Sequence, residues 1–232
     1  MTPASVVIEQ LLIGHTIPFG KKGEMSAIAK QPIERTVNVT LTGLDGDQQA
    51  DRRNHGGQEK ALHHYPAEHY AAWRSELPEV IHNRLVVGGF GENISTQGLT
   101  ESNVCVGDRF RFGTALIEVS QARQPCWKLN IRFAHPSMSK LVQETGRTGW
   151  YYRVLEEGSV APGDTITLFE RPYATWPIAR LIHLLFHNTL DREGLQAMQQ
   201  LAVLPESWRQ LAQNRLQRGA VESWQSRLET PE

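Results

Sequence analysis

Residues 106–120, Val-Gly-Asp-Arg-Phe-Arg-Phe-Gly-Thr-Ala-Leu-Ile-Glu-Val-Ser, contain the pattern that decides the fold. Phe110 and Phe112 alternate with arginines, which is the two-residue period of a β-strand. A turn at Gly113 interrupts this alternation, which resumes from Ala115 with apolar residues at every second position. The stretch therefore predicts a β-hairpin.

The same kind of turn recurs later in the chain and predicts further strands. A Gly-Asp pair precedes residues 109–112, and another precedes an alternating segment at residues 165–168; residues 37–42 also alternate. Helical patterns are sparse here, at residues 66–77 and 137–144, the second with Ser137 in place to cap its N-terminus. This part of the chain is expected to form a β-barrel.

The composition changes near Pro172 and predicts two domains. Of the 19 glycines, 17 precede Pro172, whereas short amphipathic helices are predicted from Pro177, at residues 191–201 and at residues 205–216. We expect an α+β protein with a β-barrel over residues 1–172 and a small three-helix bundle over residues 173–232.

The composition of the 232 residues also excludes several functional classes. A net charge of -1 leaves no strongly basic surface for duplex nucleic acid. The N-terminal apolar stretch contains a glutamate and precedes its lysines, the reverse of a signal peptide, and no apolar run approaches the roughly 20 residues of a membrane-spanning helix. We therefore expect a cytoplasmic protein without a membrane anchor.

The two cysteines differ in their surroundings. Two are too few for a disulfide scaffold and fit a reducing compartment. Cys105 lies between two valines, so a buried, inert thiol is expected. Cys126 lies close to Arg123 and Lys128, whose positive charges favour the thiolate, the form that attacks electrophiles and binds metals. A buried structural role for Cys126 is the alternative.

Residues 46–61 are polar, titratable and glycine-containing, and so predict a loop. Its glycine pair allows backbone N–H groups to approach a ligand, and its cationic side chains suit an anion such as a phosphate. A solvated surface loop is the competing interpretation. The residues concerned are Gly56 and Gly57, with Arg52, Arg53, His55 and Lys60.

Two other features carry weaker signals. The loop at residues 88–94 is too short for a dinucleotide motif, so Asn93 has either a ligand-facing or a structural role. Histidines 55, 63, 64 and 69 lack the spacing of a metalloprotease zinc motif, and Pro66 interrupts any helix between them.

The ordered set of these motifs resembles the MOSC family, named after the C-terminal part of molybdenum cofactor sulfurase. The match covers residues of about 30 to 170, and the helical tail is similar to that of the YiiM-type branch. The matching residues are Gly46-Asp47, Asp51, His55-Gly56-Gly57, Lys60-Ala61, Tyr65, Glu68-His69-Tyr70, Gly91-Glu92-Asn93, Val106-Gly107-Asp108 and Gln124-Pro125-Cys126-Trp127-Lys128.

The resemblance implies a β-rich barrel and a molybdenum cofactor (molybdopterin), with Cys126 as the molybdenum ligand and catalytic residue. It also implies reduction of N-hydroxylated compounds, such as 6-hydroxylaminopurine, to amines, with electrons from a separate reductase. The neutral tail then has three candidate roles: docking this reductase, capping the barrel, or forming a homodimer. The candidate cofactor-binding residues are His55, Gly56, Gly57, Lys60, Asn93, Arg123 and Lys128.

Two alternative functions remain open at this point. The first is a carrier of the cofactor, or a sulfur-handling protein, that uses the same site without turnover. The second is a cofactor-free thiol hydrolase or transferase, in which Cys126 is the nucleophile and His55 or His64 is the base.

Overall fold

The computed structural model describes residues 3–20, 23–51 and 56–231. Within these ranges the strands β1 to β14 are Ser5–Val7, Gln10–Ile13, Ile17–Phe19, Glu24–Ser26, Gln31–Ile33, Val37–Thr40, Gly43–Leu44, Leu62–His64, Ile94–Ser95, Arg109–Phe112, Ala115–Ala122, Trp150–Glu156, Gly158–Val160 and Thr165–Glu170. The helices α1 to α7 are Glu68–Glu76, Lys128–Arg132, Met138–Thr145, Ile178–Phe186, Arg192–Gln199, Glu206–Arg218 and Gln225–Leu228. Short 3₁₀ helices span Gln58–Lys60 and Glu79–Arg84.

A nine-stranded sheet forms the body of the protein. Its strand order is β1-β14-β10-β11-β12-β8-β9-β2-β5, and two smaller sheets, β13-β6-β7 and β3-β4, accompany it. Neighbouring strands of the large sheet are antiparallel except for β8 and β9, which are parallel. The expected α+β fold with a β-rich body and a helical C-terminal part is therefore confirmed.

The predicted hairpin is formed by β10 and β11, with Phe110 opposite Ile117. All eight residues of β11 are buried, however, although its sequence alternates like that of a strand with one solvated face. Glu118 belongs to this strand and is buried because its carboxylate accepts hydrogen bonds from Arg109 and Arg153. Ion pairing thus allows a polar side chain to point away from water.

Two details of the predicted elements are wrong. Strand β6 ends at Thr40, and Leu41 is 42% exposed in the turn that follows, so the alternation does not extend through residue 42. Ser137 occupies the N-cap position of α3, but its hydroxyl accepts no capping hydrogen bond. Asp191 does cap α5, because its carboxylate accepts a hydrogen bond from Gly194 N at 3.2 Å.

The protein has two apolar cores, and the helical tail shares the larger one. Leu181, Leu195 and Trp208 of the tail pack in one continuous core with the apolar residues of the large sheet. A backbone bridge between Cys105 and Pro177 joins the two regions directly. The domain boundary at residue 172 remains a prediction. In the described residues, no helix combines the length and apolar character needed to cross a membrane.

The second core is formed largely by helices and loops that follow β8 and β11. It contains a cluster of aromatic residues, in which Tyr65 stacks on Phe90 with ring centroids 4.1 Å apart. Leu129 of α2 and Phe133, directly after that helix, are fully buried in this core. The helix that follows Cys126 is therefore fixed by packing.

Candidate functional site

Cys126 lies in the loop that joins β11 to α2, and it is half-buried. Its carbonyl accepts a hydrogen bond from Leu129 N at 3.0 Å, so the loop bends directly into the helix. The other thiol, Cys105, is 3% exposed, its Sγ donates to Ala174 O, and burial raises its pKa. The expectation that Cys105 is a buried thiol is confirmed, and Cys126 is the thiol next to open space.

The C-terminal segment holds the Cys126 loop from both sides. Before the cysteine, Arg227 Nη1 donates to Pro125 O; after it, Trp127 N donates to Arg227 O at 2.7 Å. Arg227 Nη2 also donates to Gln143 Oε1 at 2.6 Å, which links the segment to α3. Asn130 adds a bond to Leu228 O at 3.0 Å. The tail is thus part of the structure that orients Cys126.

A narrow cleft of about 90 Å³, here called the inner cleft, opens beside Cys126. Two residues of its lining, His63 and Arg123, each carry a buried nitrogen, Nε2 and Nη1 respectively, that has no hydrogen-bond partner among the described residues. Buried polar atoms are almost always satisfied in folded proteins. The inner cleft therefore suits a ligand with hydrogen-bonding or anionic groups.

Several predicted site residues meet at the inner cleft. Lys60, Asn93, Arg123, Cys126 and Lys128 all contribute to its lining. Burial lowers the pKa of Lys60, and the charges of Asp51 and Cys126 oppose that shift, which indicates that the ammonium group lies near the thiol. Lys128 is half-buried, and its Nζ donates to Met25 O at 3.2 Å.

Gly56 and Gly57 do not line the inner cleft but begin the turn that carries Lys60 to it. Gly57 has φ +87° and precedes the 3₁₀ helix, and its carbonyl accepts a hydrogen bond from Lys60 N at 3.0 Å. Ser120 Oγ donates to Glu59 O at 2.6 Å, which attaches this turn to β11. A direct cofactor contact of the glycines remains a prediction. His55, together with Arg52 and Arg53, lies outside the described residues.

Asn93 lines the cleft with an amide whose two donors are already used. It donates to Leu12 O at 3.1 Å and to Asp47 Oδ2 at 2.9 Å, and its Oδ1 accepts from His63 N at 3.1 Å. These bonds favour the structural interpretation of Asn93. Asp47 also pairs with Lys30 in a buried ion pair, so one network supports this wall of the cleft.

Three residues that were not predicted to line the inner cleft also do so: Lys30, His63 and Tyr151. Burial lowers the pKa of His63 well below its usual value, and the nearby Arg123 acts in the same direction, so the imidazole is neutral at pH 7. Burial raises the pKa of Tyr151, so its hydroxyl is protonated. The pair of histidines after Ala61-Leu62 was the available signal, but strand alternation sends only the first of them to the cleft.

His64 cannot be the base for Cys126. This corrects the alternative of a thiol hydrolase or transferase in which His64 is that base. Its ring nitrogens hydrogen-bond to Tyr152 Oη and Thr96 Oγ1, both at 3.0 Å, in the fully buried interior. Burial lowers the pKa of His64 to about 3. In the described residues, no group of three or more His, Cys, Asp or Glu side chains could hold a metal ion.

The fold and the site define a class of protein: a β-rich body presents one half-buried cysteine to a basic cleft, and a helical C-terminal part braces the cysteine loop. The chain belongs to the MOSC family. The "MOSC domain" family matches residues 51–167, and the "YiiM-like, 3-alpha helix domain" family matches residues 176–219. MOSC domains are associated in general with binding of the molybdenum cofactor.

Individual relatives extend this similarity over most of the chain. "Protein YiiM" of Escherichia coli (strain K12) is 41% identical over 207 residues, which cover 89% of this chain and 92% of that protein. The crystal structure of YiiM from Escherichia coli matches with a TM-score of 0.79 at 34% identity and covers 95% of this chain and 100% of that chain. A protein of Gibberella moniliformis named "Reductase" is 42% identical over 179 residues, 76% of this chain and 32% of that protein.

Proposed function

We propose that this chain is a molybdenum-cofactor-dependent reductase of N-hydroxylated compounds, such as 6-hydroxylaminopurine, and that Cys126 is the protein ligand of the molybdenum. The observation that carries the proposal is the pair of buried nitrogens, His63 Nε2 and Arg123 Nη1, next to an accessible cysteine. Membership of the MOSC family and the name of the fungal relative support an oxidoreductase-type role.

The lining of the inner cleft fits the cofactor chemically. Lys60, Arg123 and Lys128 carry positive charge that suits the pterin phosphate, and neutral His63 adds a hydrogen-bonding nitrogen. A thiolate is a suitable soft ligand for the metal. When bound, the group would supply a metal centre that accepts the oxygen of the substrate in a two-electron step.

The overall conversion is R–NH–OH + two electrons + two protons → R–NH₂ + water. The N–O bond breaks, and we propose that the electrons come from a separate reductase protein. The residues of this chain orient and stabilise the site: Lys60 places positive charge beside Cys126, and the Arg227 bonds hold the backbone on both sides of that cysteine. Tyr151 retains its hydroxyl proton next to the cleft because burial raises its pKa.

The test compares two serine substitutions in protein purified from a host that makes the cofactor. We expect about one molybdenum and one pterin per chain in the wild type, loss of both in Cys126→Ser, and retention of both in the matched control Cys105→Ser. Turnover of 6-hydroxylaminopurine with a supplied reductase should follow the metal content. Full metal content and turnover in Cys126→Ser would refute the assignment.

The same experiment separates the alternatives. Stoichiometric cofactor without turnover, when a competent reductase is present, would favour a carrier or sulfur-handling protein. Full activity of metal-free protein, together with covalent trapping of Cys126 by an electrophilic substrate, would favour a thiol hydrolase or transferase.

A further inference from the structure

A second cavity, here called the outer chamber, adjoins the inner cleft and is much larger, at about 600 Å³. The two cavities meet at Cys126, and Lys60, Lys128 and Tyr151 also border both of them. Pockets for small organic ligands typically have volumes of several hundred Å³. The outer chamber is therefore large enough to bring a small molecule to Cys126.

The walls of the outer chamber come from both parts of the chain. Gln121, Gln124 and Trp127 belong to β11 and the cysteine loop, whereas Trp208 and Leu211 belong to helix α6. Ser207 of α6 and Ser226 of α7 lie at the same wall. The helical tail thus completes a cavity that the sheet alone leaves open on one side.

The two cavities differ in their unsatisfied groups. The buried nitrogens without partners, His63 Nε2 and Arg123 Nη1, belong to residues of the inner cleft and not of the outer chamber. An anionic group of a cofactor is better matched by the inner cleft, whereas the larger outer chamber has room for a further molecule beside Cys126. Cys126 thus borders two cavities of different chemical character.

We propose that the outer chamber binds the N-hydroxylated substrate and that helix α6 determines which ring systems it accepts; this inference rests on the function proposed above. Trp127 and Leu211 provide apolar surface for a flat aromatic ring. The amide of Gln124 can hydrogen-bond to the nitrogen atoms at the edge of a heterocycle, whereas Gln121 is buried and its Nε2 already donates to Glu59 O at 3.3 Å. The chamber is thus chemically suited to a planar nitrogen heterocycle.

Residues of α6 allow the chamber to be narrowed without emptying the core. Trp208 is 4% exposed and packs in the main core, so its removal would disturb folding. Leu211 is half-buried and Ser207 is exposed, and both border the chamber. Gln210 lies on the same helix, is exposed, and does not border the chamber, which makes it the matched control.

The test measures kcat and KM of Leu211→Trp, Ser207→Trp and Gln210→Trp with two substrates, 6-hydroxylaminopurine and the small open-chain compound acetamidoxime. We expect at least one of the first two variants to raise KM for the purine about tenfold or more, with KM for acetamidoxime within about twofold of the wild type. Gln210→Trp should change neither value. The Ser207 variant keeps the test valid if Leu211→Trp does not fold.

A binding measurement distinguishes failure of this inference from failure of the proposed function. Calorimetry with adenine, the amine product, reports on the chamber even if the protein contains no molybdenum and has no turnover. Weaker binding by about tenfold in a chamber variant, with unchanged binding in the control, would support the inference. Three results would overturn the inference. They are equal changes of KM for both substrates, unchanged adenine binding in folded chamber variants, and no adenine binding by the wild type.

Discussion

Replacing Arg227 by methionine tests whether the C-terminal segment holds the Cys126 loop. The change removes the hydrogen bonds from Arg227 to Pro125 O and to Gln143 Oε1. Methionine still offers an apolar chain to Phe186, over which the guanidinium group lies at 5.5 Å from the ring centroid. The substitution therefore removes the two hydrogen bonds and keeps an apolar side chain against Phe186.

The magnitude follows from the two bonds and the burial of the cation. A hydrogen bond from a charged donor contributes about 1.5–3 kcal/mol, so the two bonds together contribute about 3–6 kcal/mol before other costs. Burial lowers the pKa of Arg227, which means that keeping the cation in this position has a cost of its own. We expect Arg227→Met to lower the free energy of unfolding by about 2–3 kcal/mol.

Urea unfolding gives this free energy, and molybdenum analysis of purified protein reports on the site. We expect the metal content to fall together with stability, because the backbone directly before Cys126 loses the hydrogen bond that Pro125 O accepts. Arg227→Lys should recover part of the loss, since an ammonium group can replace one of the bonds but not the fork geometry. Arg218→Met, at an exposed position near the end of α6, is the control. Wild-type stability and metal content in Arg227→Met would refute the reasoning.

Three further predictions concern the walls of the site. Asp47→Asn leaves a buried lysine without its counter-charge and should lower the free energy of unfolding by about 3–5 kcal/mol, whereas exposed Asp45→Asn should change it by less than about 0.5 kcal/mol, both by urea titration. The pKa of His64 is lowered to about 3, so between pH 6.5 and pH 3 the unfolded chain binds more protons than the folded protein. The free energy of unfolding therefore falls by about 1.4 kcal/mol for each unit by which the pH decreases. His64→Gln should make the slope shallower by about this amount, with buried His63 still contributing to it, and exposed His15→Gln should leave the slope unchanged; equal slopes in the two variants would contradict the assignment. Gly88→Ala should lower the melting temperature, because φ is +90° and the added Cβ would meet Lys30 O at 2.5 Å; an unchanged temperature would show that the loop can relax.

Elements with a strong local pattern could be predicted from the sequence. The hairpin of β10 and β11 was predicted because alternation and turn lie within a few residues, and Cys126 was selected because its cationic neighbours are adjacent in sequence. The burial of both faces of β11 could not be predicted, since the residues that cover it are distant in the chain. The ion pairs of Glu118 allow that burial.

The site residues that could not be predicted are likewise distant from Cys126 in the chain. Lys30 lies directly before β5 and His63 lies in β8, and they approach Cys126 only through sheet pairing and the loops between strands. Helix α7 has only four residues, too few to display a helical period, so its role next to the cysteine loop had no signal in the sequence. Asn93 has an amide suited to a ligand, and only the tertiary structure reveals that its donors bind Leu12 and Asp47.

The contacts between residue 227 and the Cys126 loop also set an order of events during biosynthesis. They join positions about 100 residues apart, so they cannot form until almost all of the described chain has left the ribosome. Loop closure over such a distance is slow compared with formation of a local hairpin. The cysteine loop therefore acquires its final geometry late, and a nascent chain that already contains Cys126 does not yet have a finished site.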